Sequence, residues 1–489
     1  MWTVRTQEAG QRRDAEAVGW CPMTLIADLE RLLGPERVRH HPLDLLVFAK
    51  DSGVVAGSVI AAVLPETTQE VAAIVRLANQ HGVPIVPRGA GTGLAGGAVP
   101  TTPGLLVVLT RFTSIGEVDP ISRSVWVGPG VINLDLSKEL GPIGLHFAPD
   151  PSSQSACTIG GNVGTNAGGP HCLADGTTVA HVYAVEMVTA DGDIVVAGGE
   201  APDTPGLDLR AVVIGSEGTL GIITRVLVRL TQNAPDVATL LIGFASVEDA
   251  AATVSEVIAS GLIPAALEMM DQRMVEAVEN FVHAGYPTDA AAVLLAEVTG
   301  SPDTVRADTE RILTIARGNG AMGIQVATDD DERALLWKGR KSAFGAVAQA
   351  APDYYLHDTV VPRTRLVEVM HSIYEIGERH DLTMLNVFHA GDGNLHPLVA
   401  FDAKEPGALE AVQAAAREMV TVSIEAGGSL SGEHGIGVEK RDLMPLVFSE
   451  LDLDAQARVK EAFDPRGMMN PEKVLPLGSR CFDARGARL

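Results

Sequence analysis

Two short segments late in the chain concentrate residues that can do chemistry. His389-Ala-Gly-Asp-Gly-Asn-Leu-His396 sets two imidazoles seven positions apart around a glycine turn, and Ser431-Gly-Glu-His-Gly-Ile-Gly437 places Glu433 beside His434. Two neutral imidazoles and a carboxylate form an N/N/O donor set that suits a divalent cation and leaves positions open for a substrate. A capped structural turn has the same composition, so spacing alone leaves both readings open. A third segment, Leu335-Leu-Trp-Lys-Gly-Arg-Lys341, has helical character. Its Arg340 and Lys341 read either as a solvated face or as cations able to take a carboxylate, which Arg can do bidentately.

Three glycine-rich turns precede these segments. Pro87-Arg-Gly-Ala-Gly-Thr-Gly-Leu-Ala-Gly-Gly97 follows an apolar run and contains G-x-G-x-x-G at Gly91, Gly93 and Gly96. A dinucleotide turn of the Rossmann type needs a helix to open there and aim its N-terminus at a pyrophosphate. Pro100 and Pro103 follow at once, so no useful helix forms. What remains is backbone N–H groups uncovered by side chains, a candidate anion nest with Arg88 adding positive charge. The second turn runs from Pro149 to Gly169 and offers Asn162, Thr165 and Asn166 to the edge of a heterocycle; the third is Gly215-Ser-Glu-Gly-Thr-Leu-Gly-Ile-Ile223. Any one of them could be a mobile surface loop. Three within one region point to a large nucleotide-type ligand.

The chain that must position these residues has 489 of them, with 37 Lys plus Arg against 62 Asp plus Glu, a formal charge of −25. That balance argues against a nucleic-acid partner, whose phosphates demand a basic face. Apolar residues reach 46%, enough for a large core. No apolar run approaches the ~18 residues of a spanning helix, and Met1 to Glu16 has neither the apolar stretch of a secretory signal nor that of a twin-Arg signal. Cys21, Cys157, Cys172 and Cys481 are widely spaced, which fits reduced thiols and a cytoplasmic setting.

Element signals are strong in places. Thr67-x-x-Glu70 is a capping box, Val71, Ile74, Val75 and Ala78 share a helical face, and Gly82 supplies the stop. Asp191-Gly192 between two β-rich runs signals a hairpin. After residue 230 two strand–helix–strand units follow one another, which suggests an antiparallel sheet with helices on one side, the ferredoxin-like class. The expected division is a leader at 1–23, a nucleotide-binding domain at 24–232, a substrate or cap domain at 233–430, and a C-terminal segment at 431–489 that returns to the first domain.

Taken in order, the three glycine turns resemble the flavin-binding domain of the vanillyl-alcohol-oxidase-like FAD oxidoreductases. From about residue 40 to 477 the chain resembles one branch of them, the D-2-hydroxyacid dehydrogenases that include the flavin subunit of glycolate oxidase, D-lactate dehydrogenase and D-2-hydroxyglutarate dehydrogenase. The resemblance implies an α+β fold, with a two-subdomain FAD-binding domain and a ferredoxin-like substrate domain. It implies non-covalent FAD held by Pro87, Arg88, Gly89, Ala90, Gly91, Thr92, Gly93 and Leu94 at the pyrophosphate. Around the flavin and ribityl chain it places Pro149, Asp150, Thr158, Gly161, Thr165, Asn166, Gly168, Glu217, Gly218, Gly221, Ile222 and Asn470. By the same likeness His389, His396 and Glu433 ligate a divalent metal (Zn or Mn), His434 is the base, and Arg340 with Lys341 binds the substrate carboxylate.

The implied reaction is oxidation of a small 2-hydroxy acid, glycolate first and D-lactate second, to the 2-oxo acid. The Lys and Asn that meet a second carboxylate in the 2-hydroxyglutarate branch have no counterpart at Tyr355-Leu356-His357-Asp358 or Pro397-Leu398. A non-catalytic flavin subunit and a flavin-dependent transferase share the fold; the His/His/Glu set and Arg340 argue against the former. The resemblance also implies a second flavin subunit and an iron–sulfur subunit as partners, with attachment to the inner membrane only through them.

Overall fold

The structure is a computed structural model that describes residues 22–201, 205–349 and 351–477. The expected leader lies almost wholly outside these residues, and the first helix, Pro22–Leu33, already begins at Pro22. Cys21 and Cys481 also lie outside them; Cys157 and Cys172 are free thiols.

The first sheet grows from the capping-box helix. Thr67 accepts from Glu70 N at 3.2 Å and Glu70 accepts from Thr67 N at 3.3 Å, so two orphan donors are satisfied at the start of Thr68–His81. Gly82 ends the helix in the left-handed region at φ 64°. Val71, Ile74, Val75 and Ala78 are buried on one face, against the sheet Val38–Arg39, Val59–Val63, Gly104–Val108, Ile85–Arg88. The last three strands run parallel, and no helix forms between Arg88 and Gly104. The two prolines have the effect the sequence predicts, and the first glycine turn is a loop between strands.

A second four-stranded sheet, Ser124–Val127, Ile222–Arg229, Val182–Val188, Ile194–Gly198, is antiparallel. Its last two strands are the hairpin around Asp191-Gly192.

The third sheet has eight strands, in the order Ala321–Val326, Asp236–Phe244, Ala292–Gly300, Ala266–Asp271, Thr383–His389, Asn394–Phe401, Asp353–Leu356, with Thr359–Val360 also on Asn394–Phe401. Every pairing is antiparallel, as expected. Helices cover both faces rather than one. Val247–Ala259, Pro302–Gly318, Leu366–Arg379 and Ala408–Glu425 pack on the face carrying Leu240, Ile242 and Leu294. Gln272–Val282, Asp330–Lys341 and Ala343–Val347 pack on the face carrying Leu241, Val293 and Leu295. The reason is legible in the strands: Ala292 to Val298 is buried at every position, so both faces need cover.

After the helix Glu450–Phe463 the chain returns to the first sheet. Asn470 N donates to Ile85 O at 2.7 Å, and Met469 is fully buried in that core.

Candidate active site between the glycine turns and the large sheet

The three glycine turns line one cavity of about 410 Å³. Its walls are Pro87, Arg88, Gly89, Ala90, Gly91, Thr92, Gly93 and Leu94 from the first turn, Thr158, Gly161 and Thr165 from the second, and Glu217, Gly218 and Gly221 from the third. Lys341, Phe344, Tyr354, Leu356, Glu433 and His434 close it from the side of the large sheet. The second turn carries a short glycine helix, Ile159–Thr165, with Thr158 as its N-cap, an element that composition alone leaves undecided. Glycine is required where walls meet: a Cβ on Gly218, at φ +72°, would lie 2.3 Å from Pro87, and one on Gly168 would lie 2.7 Å from Glu433 Oε2.

Several expected cofactor residues stand behind this lining rather than in it. Asn166 ends the glycine helix in the left-handed region and accepts from Val179 N at 2.8 Å. Pro149 O accepts from Asn133, and Ile222 is buried in the first core. Gly168 packs on Glu433, and Asp150 binds His171 and Lys341. Asn470 donates to Gly97 O at 2.8 Å and Glu217 O at 2.6 Å, tying the returning chain to the first and third turns. Glu217 reaches the cavity, but its carboxylate is spent on Ile436 N at 2.7 Å and Gly437 N at 2.9 Å. Arg88 braces its own loop, donating to Lys50 O at 2.8 Å and Ala98 O at 3.3 Å. These residues shape the slot; a turn built on small residues needs such ties because it has no side chains with which to hold itself.

His389 ends the strand Thr383–His389 and His396 sits on the next strand, so the hairpin brings the two rings to 5.0 Å between centroids. Glu433 Oε1 lies 3.2 Å from His389 Nε2 and 3.1 Å from His396 Nε2. The second contact is off the line of a hydrogen bond, and His396 Nε2 is left without a hydrogen-bond partner. The three ligand atoms lie within 4.8 Å of one another. Behind His389, Nδ1 meets Glu268 Oε1 at 2.8 Å and Oε2 at 2.9 Å. A carboxylate on the far nitrogen fixes which nitrogen faces forward, an arrangement typical of metal-ligating histidines. Burial opposes charge on His389, yet Glu268 and Glu433 raise its pKa well above the ordinary value. A metal cation would replace the proton those carboxylates favour. The orphaned His396 nitrogen and this charge pattern fit a divalent cation held by His389, His396 and Glu433.

His434 lines the cavity, and burial pushes its imidazole down to about 4, so the ring is neutral at physiological pH. It stacks on His396. Arg340 does not line the cavity. It is fully buried, with Nη2 2.5 Å from Glu268 Oε2 and 3.5 Å from His389 Nδ1, and its Nε and Nη1 have no hydrogen-bond partner. Lys341 does line the cavity, with Nζ 2.7 Å from Gln154 Oε1 and 3.5 Å from Asp150 Oδ2.

Sequence reasoning missed Glu268, Glu297, His171 and Asp358. His171 joins the halves of the site: Nδ1 is 2.9 Å from Asp150 and Nε2 is 3.3 Å from Glu297, which also accepts from Trp337 at 2.5 Å and Thr239 at 2.6 Å. Burial opposes its charge, but Asp150 and Glu297 raise the His171 pKa to about 10. A usable signal existed for two of them, since Glu268 and Glu297 are each flanked on both sides by apolar residues within a strand and buried charges are normally paired.

Residues 59–198 match the family model of an FAD binding domain, and residues 234–474 match that of the C-terminal domain of FAD linked oxidases. The chain is 46% identical over 421 residues to the glycolate oxidase subunit GlcD of Escherichia coli K12, which covers 86% of this chain and 84% of that protein. This protein belongs to the FAD-linked oxidase family. Within the family it is also 38% identical to GlcD of Bacillus subtilis, over 92% of this chain and 97% of that one. It is 34% identical to D-lactate dehydrogenase of Archaeoglobus fulgidus, over 84% and 90%. The fold is shared with p-cresol methylhydroxylase at TM-score 0.80 and 15% identity, covering 93% of this chain and 97% of that one. The α+β architecture with a flavin-binding domain of this type therefore stands. Among the described residues no helix is long and apolar enough to cross a membrane.

Proposed function

We propose that the chain oxidises glycolate, with D-lactate as a second substrate, within the FAD-dependent oxidation of 2-hydroxy acids that marks its family. One observation carries this reading: a single cavity is walled by the three glycine turns on one side and by Glu433 and His434 on the other. FAD in the slot formed by the turns would supply the two-electron acceptor for the substrate α-hydrogen.

The remaining work falls to side chains. Arg340, buried with Nε and Nη1 unpaired, is our assignment for the substrate carboxylate, because a guanidinium edge left unbonded in the interior is costly until an anion meets it. Lys341, on the cavity wall, assists. His389, His396 and Glu433 would hold a Zn or Mn ion, which lowers the pKa of a coordinated hydroxyl. Neutral His434 takes the hydroxyl proton. Phe344, Tyr354 and Leu356 on the cavity wall are uncharged, which supports a small substrate over a dicarboxylate.

We take residues 24–232 as the FAD-binding unit, 233–430 as the substrate unit and 431–489 as the return. Electrons then leave to a separate acceptor. Relatives that are subunits of glycolate oxidase support a complex, and we infer a second flavin subunit and an iron–sulfur subunit as partners in the cytoplasm. An anaerobic panel of D- and L-hydroxy acids, read by loss of flavin absorbance, tests the substrate. Bleaching by glycolate and D-lactate is expected; bleaching by 2-hydroxyglutarate alone, or by none, would refute the reading.

A further inference from the structure

Asp358 is fully buried and has no part in the chemistry above. It lies between the strands Asp353–Leu356 and Thr359–Val360, both paired to the strand that carries His396. Its carboxylate collects the whole start of the Glu433 loop. Ser431 Oγ donates at 2.6 Å, Gly432 N at 3.0 and 3.1 Å, Glu433 N at 3.3 Å and His434 N at 3.1 Å. Three successive N–H groups turned towards one anion form a nest, a conformation that loses its reason without the charge at its centre. Lys440, itself buried, supplies the counter-charge, with Nζ 3.1 Å from Asp358 Oδ2 and 2.8 Å from its carbonyl oxygen.

Asp358, His396 and His434 also lie close enough to be read as a second cation site. The donors exclude it. Oδ2 already receives the Ser431 hydroxyl, three backbone N–H groups and the Lys440 ammonium, and Oδ1 receives Gly432 N. The carboxylate is an organiser of backbone, not a ligand.

We propose that Asp358 is a positioning residue that fixes Glu433 and His434 in one register, so that the first faces His389 and His396 while the second lies over His396. This inference rests on the reading of the site given above. It predicts that one buried carboxylate sets metal affinity and proton transfer together, because both groups hang from adjacent N–H groups on the same anion.

The test is Asp358→Asn in the purified FAD-loaded protein. The carboxamide cannot accept on both oxygen positions, so the nest opens. FAD content stays at the wild-type level. Zinc affinity, measured by competition with a chromogenic chelator, falls about 10- to 100-fold, the usual cost of removing an outer-shell partner. Flavin reduction at saturating glycolate slows similarly, and excess zinc does not restore it, because His434 has moved as well. Ser431→Ala, which deletes one donor to Asp358 and the acceptor of Gly435 N while keeping the three backbone donors and Lys440, shifts both quantities in the same direction by a smaller factor and decides the matter should Asp358→Asn not fold.

Unchanged zinc affinity and reduction rate in the variant that folds would overturn the proposal. So would a lowered melting temperature and FAD content with a wild-type rate in the loaded fraction, the mark of a merely structural carboxylate. A wild-type flavin that no hydroxy acid bleaches refutes the functional reading instead, while the zinc competition still decides the role of Asp358.

Discussion

His434 lies flat on His396, with ring centroids 4.9 Å apart and planes inclined by 13°. The stack sets the assigned base against an assigned ligand, so a group held at the ligand cluster is within reach of the base. His434→Gln keeps the bulk of the ring and removes the proton acceptor. Flavin reduction by glycolate is expected to slow by roughly 10²-fold or more, with FAD retained. Single-turnover absorbance measurements check it, and an unchanged rate would remove His434 from the mechanism.

The metal assignment predicts a separable loss. Chelation, or His396→Ala, should leave the protein yellow and halt turnover, since His396 is not among the residues that line the cavity. Metal analysis alongside flavin absorbance distinguishes the two. Full turnover in metal-free protein would discard the assignment.

Arg340 is held by Glu268, and removing its charge would strand that carboxylate in the interior. Arg340→Lys keeps the charge and loses the planar fork. The KM for glycolate should rise about 10- to 100-fold, the scale of one charge-assisted hydrogen bond, with kcat less affected. Equal KM values would move the carboxylate site to Lys341.

Much of this arrangement was legible in the sequence, and the reasons for the rest are physical. Thr67, Glu70 and Gly82 announced a helix because capping is local, and Pro100 with Pro103 denied one for the same reason. Spacing around glycine turns marked His389, His396 and Glu433 as one candidate donor set beside the reading of a capped structural turn, and the structure brings the three ligand atoms within 4.8 Å of one another. The second layer of helices on the large sheet was not anticipated, although the uniform burial of Ala292 to Val298 demands it. Asp358 was invisible: its partners at 431–434 and 440 are more than seventy residues away, and nothing near it in the chain marks it. Asn166 and Ile222 sit in glycine-rich turns and Asn470 in the returning segment, yet their side chains brace the turns from behind. Motif membership does not tell lining from support.

His171 predicts a pH dependence of stability. Its folded pKa of about 10 lies above the ordinary value of 6.5. The stabilisation from its pairing with Asp150 and Glu297 is therefore complete below about 6.5, and is lost as pH rises through the folded value. The gap in melting temperature between the wild type and His171→Gln should narrow steadily from pH 6.5 towards 10. A gap that stays constant or widens would contradict the ion pairing.

Leu356 places an uncharged side chain on the cavity wall. Leu356→Lys should raise kcat/KM for 2-hydroxy dicarboxylates and lower it for D-lactate, as steady-state assays on both would show. No gain with the dicarboxylate would place the distal end of the substrate elsewhere.

The central claim is that a 2-hydroxy acid loses its α-hydrogen in the cavity between the glycine turns and His434. Rapid anaerobic mixing with α-deuterated glycolate measures that step directly. The account predicts a flavin absorbance decay that is slower for the deuterated than for the protiated acid, and slower again in His434→Gln. Decay at the same rate for both isotopologues and both proteins, or no decay at all, would contradict it.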